Sequence, residues 1–157
     1  MPEGSLITNE LRKLIDVSSE PIIFKVEEGA IQRYAQAIGD PNSLYNDPDY
    51  ASKTRHGRLL APPGFTGWPV KAGIPTDKLF ESLAKAGAPQ RLLDGGVEFE
   101  FIDPVGAADV LTATTRIASI TERETRLGKT MFTTVEITFV NQAGNVALKS
   151  QSTLIQF

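Results

Sequence analysis

Hydrophobic positions along the chain divide it into a helical first half and a stranded second half. Ile7, Leu11, Leu14 and Ile15 fall at i, i+4, i+7 and i+8, one face of a helix for which Thr8 or Asn9 is the candidate cap. This predicts a short helical extension over about residues 5–16, ended before Pro21 and followed by a strand from Ile22 to Val26. Ile31, Tyr34, Ala35 and Ile38 repeat the helical spacing, and Gly39 supplies a left-handed stop. Asp47-Pro48 predicts another helix start, because Asp caps and Pro tolerates the first helical position. Pro62-Pro63-Gly64 then leads into an apolar segment of Phe65, Trp68 and Val70 that reaches toward Gly73. Thr76 is a candidate cap for a helix carrying Leu79, Phe80 and Leu83 and stopping near Gly87.

Beyond residue 92 the period drops to two. Val97, Phe99 and Phe101 alternate with Glu98 and Glu100, giving one apolar and one wet face. A turn at Asp103-Pro104-Val105-Gly106 precedes a Thr-rich strand from Val110 to Ile120. Gly128 opens a third segment in which Met131, Val135, Ile137 and Phe139 are the inward positions. Asn141-Gln142-Ala143-Gly144 turns the chain into a last strand from Val146 to Phe157. Short turns between consecutive strands predict an antiparallel meander, hence an α+β fold.

Composition narrows the chemistry. At 157 residues, with 41% hydrophobic and 22% charged, the expectation is one compact domain spanning 1–157. Sixteen Lys and Arg against nineteen Asp and Glu give −3, so no basic field points to nucleic acid. Neither a membrane-spanning run nor a signal-peptide start is expected, and the reading is cytoplasmic. The chain has no cysteine and a single histidine, His56, which excludes thiolate metal sites, cysteine nucleophiles and histidine pairs within one chain. No metal is expected.

Residues 34–65 carry a signature: Ala37-Ile38-Gly39-Asp40 closing a helix, Asn42, an aromatic at 45, Asp47, Tyr50-Ala51, Gly57, then Ala61-Pro62-Pro63. Gly95-Gly96-Val97-Glu98-Phe99, Asp103-Pro104 and Asp109-Val110-Leu111 follow in order. This arrangement resembles the MaoC-like dehydratases and hydratases of the hotdog fold, in their half-type N-terminal variant. The resemblance implies a curved antiparallel sheet wrapped around a central helix, with protomers paired at their sheet edges and an acyl-thioester tunnel at the interface. It also implies (R)-specific hydration of enoyl thioesters, or dehydration of 3-hydroxyacyl thioesters, by an Asp–His pair sharing a water. A backbone N–H at the start of the central helix would polarise the thioester carbonyl.

The departures from that pattern concern the machinery itself. The family's His follows its Asp by five positions; counted from Asp40, that place holds Tyr45, whose phenol is a poor base at neutral pH. Pro62 and Pro63 stand where active members carry His-Gly, and proline has no N–H to offer. Gly64 is the next candidate donor. Two readings follow: an acyl-binding chain paired with a catalytic hotdog partner, or a self-sufficient homodimer using Asp40 and Tyr45. A hotdog acyl-CoA thioesterase and a non-catalytic acyl-binding module remain as alternatives.

The catalytic candidates are therefore Asp40 and Tyr45. The substrate-binding candidates are Asn42, Tyr50, Arg55, Arg58, Pro63, Gly64, Gly95 and Gly96. Each has a plainer explanation. Asp40 begins a turn, Asn42 is a loop residue, Asp47 caps a helix, and Tyr50 packs its helix on the sheet. Lys53, Arg55, His56 and Arg58 form either a solvated loop or a grip on coenzyme A phosphates or an acidic carrier protein. Gly95-Gly96 is either a strand bulge or a close approach to ligand. The expected partners are an acyl thioester and a second hotdog chain, and no cofactor is expected beyond the substrate's own coenzyme A or carrier-protein thiol.

Overall fold

The computed structural model describes residues 4–65 and 76–157, with only the backbone of Thr76 and Asp77. Trp68, Val70 and the rest of the segment leading to Gly73 lie outside the described residues. The elements in chain order are α1 (Asn9–Lys13), β1 (Ile22–Lys25), α2 (Glu28–Ala37), α3 (Ser43–Asn46), α4 (Pro48–Ser52), α5 (Thr76–Lys85), β2 (Leu92–Phe101), β3 (Val110–Thr125), β4 (Gly128–Val140) and β5 (Val146–Gln156). Thr8 caps α1 by accepting from the Leu11 N–H at 3.1 Å, and Gly39 takes a φ of 70° just past α2.

The strands form one antiparallel sheet in the order β1-β3-β4-β5-β2. The expected meander therefore holds for β3, β4 and β5 alone. β2 does not pair with the strand that follows it; it adds to the far edge beside β5, with Phe99 opposite Ser150 and Phe101 opposite Leu148. Alternation identifies apolar faces but not which strands are neighbours. The Asp103–Asp109 connection is long enough to carry the chain across to the other side.

Two clusters make the core. In the first, Phe24 and Val26 of the β1 region, Ile31 of α2 and Leu59 pack on Leu111, Phe139 and Leu148. The Phe24 and Phe139 rings meet edge to face at 6.4 Å. In the second, Leu83 of α5 and Leu11 of α1 close over Ile117, Ile120 and Met131. Leu11 and Met131 are fully buried, so the N-terminal extension is part of the core. Polar bonds fix it there: the Leu6 N–H donates to Glu122 Oε2 at 2.6 Å and Thr8 Oγ1 to the Ala86 carbonyl at 2.8 Å.

β2 is the exception. All ten of its residues are exposed, and its pairing slips between Asp94 and Val97. Gly95 and Gly96 make that slip. A Cβ on Gly95 would lie 2.8 Å from the Thr153 carbonyl oxygen, and Gly96 has a φ of 106° that L side chains rarely adopt. Of the two readings open from the sequence, the geometry is that of a β-bulge.

Candidate active site

The stretch from Asp40 to Ser52 is built from small polar turns and short helices. Asp40 Oδ1 accepts from the Asn42 N–H, and Asn42 Oδ1 from the Leu44 N–H, both at 3.0 Å, so the first begins a turn and the second caps α3. Asn46 Nδ2 ties the loop together by donating to the carbonyls of Asp40 and Asn42, each at 2.9 Å. Asp47 caps α4 through the Tyr50 N–H at 3.0 Å. The result is a short, tightly bonded scaffold that places Tyr45 half-buried against the first core cluster.

Residues 59–61 then run beside residues 105–107. Ala61 N–H donates to the Val105 carbonyl at 2.8 Å and Ala107 N–H to the Leu59 carbonyl at 2.9 Å, while Leu60 N–H reaches back to the Leu44 carbonyl at 2.9 Å. Gly106 permits this approach, because a Cβ there would sit 2.8 Å from the Leu59 oxygen. These bonds bring Tyr45, Leu60, Ala61, Pro63, Phe65 and the Phe101–Val105 segment around a cavity of about 250 Å³. Its lining is mostly apolar, with the Tyr45 phenol and the Asp103 carboxylate as its ionisable groups. The cavity opens beside the end of edge strand β2, where Phe101 and Ile102 are about half exposed.

At the proline turn, Phe65 N–H donates to the Pro62 carbonyl at 3.0 Å, leaving Gly64 with the first N–H after the two prolines. Gly64 has a φ of 92°, and the Tyr34 hydroxyl lies 3.0 Å from where its Cβ would be. Tyr34 and Phe65 stack obliquely at 5.1 Å. The turn is thus held from α2.

Among the sequence candidates, Tyr45 and Pro63 line this cavity, and Gly64 adjoins it. Asp40 and Asn42 belong to the supporting loop and are not among the lining residues. Tyr50 is 51% exposed, so it does not pack α4 on the sheet as expected. Arg55 is exposed and donates through Nε to His56 Nε2 at 3.2 Å. Arg58 is not part of a solvated basic loop. Its guanidinium is held by Asp109, with Nη2 2.9 Å from Oδ2 and Nη1 on Oδ1, and Nη1 also reaches the Ala107 carbonyl at 3.3 Å. Three of the five guanidinium N–H donors are so engaged.

Asp109 itself is nearly fully buried and also accepts from the Gly106 N–H at 2.9 Å and Gln142 Nε2 at 3.0 Å. Burial alone would raise its carboxyl; hydrogen bonds from Arg58, Gln142 and Gly106 outweigh that and hold it below the usual range. Leu60, Ile102 and Val105 carry no chemical signal that would have marked them in the sequence. A different cavity, of about 210 Å³, lies between the N-terminal extension, α5 and β3, away from Tyr45. Among the described residues no cluster of acids and histidine could hold a metal ion, and no helix is long and apolar enough to cross a membrane.

The family described as FAS1-like, dehydratase domain region matches residues 13–150. The chain belongs to this family. A UPF0336 protein of Thermobifida fusca (strain YX) is 30% identical over 142 residues, covering 86% of this chain and 85% of that protein. Another, from Streptomyces avermitilis, is 32% identical over 108 residues, and that match spans 62% of this chain and 63% of the relative. Among solved structures, a MaoC-like dehydratase superposes with a TM-score of 0.75 at 23% identity, over 92% of this chain and 42% of that one. The HadBC (3R-hydroxyacyl-ACP dehydratase) complex of Mycobacterium tuberculosis gives 0.71 at 20% identity, over 90% and 96%. The ChsH1–ChsH2 complex from the same organism gives 0.68 at 19%, over 89% and 84%. At these identities the likeness establishes the fold, a hotdog. The FAS1-like dehydratase region of this chain is thus set on a hotdog architecture.

Proposed function

We propose that this chain is the acyl-binding subunit of an (R)-specific enoyl-thioester hydratase or 3-hydroxyacyl-thioester dehydratase, working beside a catalytic hotdog partner. One observation carries the reading: an apolar cavity opens beside edge strand β2 with Tyr45 and Pro63 on its wall, the positions at which the family resemblance expects a base and an N–H donor. Among the described residues its wall holds a phenol and one carboxylate, Asp103, but no imidazole, which favours binding the acyl chain over supplying the Asp–His chemistry. The expected division of labour gives the partner the Asp–His pair. This chain supplies apolar wall for the acyl group, with the Gly64 N–H beyond the prolines as its nearest backbone donor. Water addition to a polarised alkene is acid–base work, so the reaction as read calls for no metal or redox group. The thioester is carried on coenzyme A or on a carrier protein. Two of the solved hotdog neighbours, HadBC and ChsH1–ChsH2, are complexes, which supports pairing with another chain.

The test is direct. The purified chain is mixed with crotonyl thioester, alone and together with a hotdog chain carrying an intact Asp–His spacing, and loss of the conjugated absorbance is followed. Turnover is expected only with both chains present. Robust turnover by this chain alone would favour the self-sufficient homodimer, and release of free thiol would favour a thioesterase.

A further inference from the structure

The edge of β2 away from β5, unpaired among the described residues, has an asymmetric chemistry that bears on which chain it accepts. Its inward positions are apolar: Val97, Phe99 and Phe101 are 52%, 37% and 47% exposed, and the two phenylalanine rings stack at 5.9 Å. Its outward positions are acidic. Glu98 stands opposite Gln151, and Glu100 opposite Lys149, to which no ion pair joins it among the described residues. The base nearest Glu98 along its cross-strand row, Arg116, is occupied by Glu136 and Asp16.

The Gly95-Gly96 bulge divides the ladder into Leu92–Asp94 and Val97–Phe101, of which the second is the longer regular run. A two-fold axis pairing that segment with a copy of itself passes through Phe99. It then places Glu98 opposite Glu100 of the copy, and Glu100 opposite Glu98. Side chains directly opposite in an antiparallel pair have Cβ atoms roughly 5 Å apart, and like charges there oppose association. The same geometry becomes favourable at both places if the second strand carries bases.

We propose that the β2 edge selects a second hotdog chain whose own edge strand bears Lys or Arg on its outward positions, and discriminates against a copy of this chain. The proposal rests on the heteromeric reading above and names the chemistry of the partner. Electrostatic matching of this kind sets the choice of partner, and the apolar face contributes affinity to any comparable strand.

The test uses this protein as its own probe. Self-association of the wild type, of E98K/E100K and of E98Q/E100Q is measured by sedimentation equilibrium, with circular dichroism to show that each is folded. Wild type and E98K/E100K are then mixed one to one. The mixed pair is expected to associate about tenfold more tightly than either protein with itself. That gain should vanish near 1 M salt, where the screening length is about 3 Å. E98Q/E100Q should self-associate more tightly than the wild type, a comparison that stands even if the lysine variant fails to fold. A wild-type dimer that neutralisation does not tighten, or a mixture no tighter than its components, would overturn the proposal. No thioester is used, so this outcome is separate from whether the complex hydrates one.

Discussion

Arg58 and Asp109 meet across 51 positions of sequence, with Nη2 of one 2.9 Å from Oδ2 of the other and Nη1 on the second carboxylate oxygen. The pair fastens the loop that precedes the proline turn to the start of β3, and so sets one wall of the cavity beside Tyr45. Removing one partner of a buried pair leaves the other uncompensated, which costs roughly 3–5 kcal/mol. Arg58 keeps 35% of its side chain exposed, so Asp109→Ala is expected near the low end, about 3 kcal/mol. For a chain of this length that lowers Tm by roughly 6–12 °C at neutral pH, a shift that a thermal melt reads directly.

The same carboxylate has a pH signature. Its folded pKa lies below the unfolded value, so its contribution is present in full above about pH 4 and fades as pH falls through the folded pKa. Urea unfolding of wild type and Asp109→Asn from pH 7 down to about 2.5 should show a stability difference that is constant at neutral pH and shrinks on the acid side. A difference that grew as the pH fell would contradict the assignment.

The bulge in β2 is testable by backbone alone. Gly96→Ala must hold an alanine at φ 106° with open space around its Cβ, so the cost is conformational, about 1–3 kcal/mol. Gly95→Ala adds a clash with the Thr153 carbonyl oxygen and is expected to cost more. Chemical denaturation of the two variants would rank them in that order.

Periodic signals were legible in advance and long-range pairings were not. The Thr8 and Asp47 caps and the Asn141–Gly144 turn follow from residues within one or two helical turns of each other and are found. By contrast, α1 is regular helix only over Asn9–Lys13 rather than about 5–16, and on the α2 face Ile31 and Ala35 are buried but Ile38 is 52% exposed. β2 was visible as a strand, but its place beside β5 depends on a crossover that no local pattern encodes. Arg58 illustrates the same limit at the site. In sequence it is one of four basic or titratable groups in a loop, and only the fold brings Asp109 and its Gln142 support to it. Tyr45 is marked by a family spacing and Phe101 by its apolar alternation in β2, whereas Leu60 and Ile102 reach the cavity through geometry alone.

If Tyr45 and Pro63 stand where a base and an N–H donor would act, putting those groups back should create activity. Tyr45→His alone returns an imidazole five positions after Asp40, with a pKa near neutrality suited to taking a proton from water. The carbonyl would still lack a donor at position 63, because proline has no N–H, and the Gly64 N–H lies one residue farther on. Pro63→Gly alone supplies a donor without a base. The double variant should therefore exceed the sum of the two singles. General base catalysis contributes roughly 10²–10⁴-fold, so its hydration of crotonyl thioester should rise at least about 100-fold over the wild-type background. The rate should also acquire a limb near the reference histidine pKa of about 6.5 that the wild type does not show. A double variant that folds, binds the thioester and gains nothing would mean that the cavity beside Tyr45 does not hold the reacting end of the substrate.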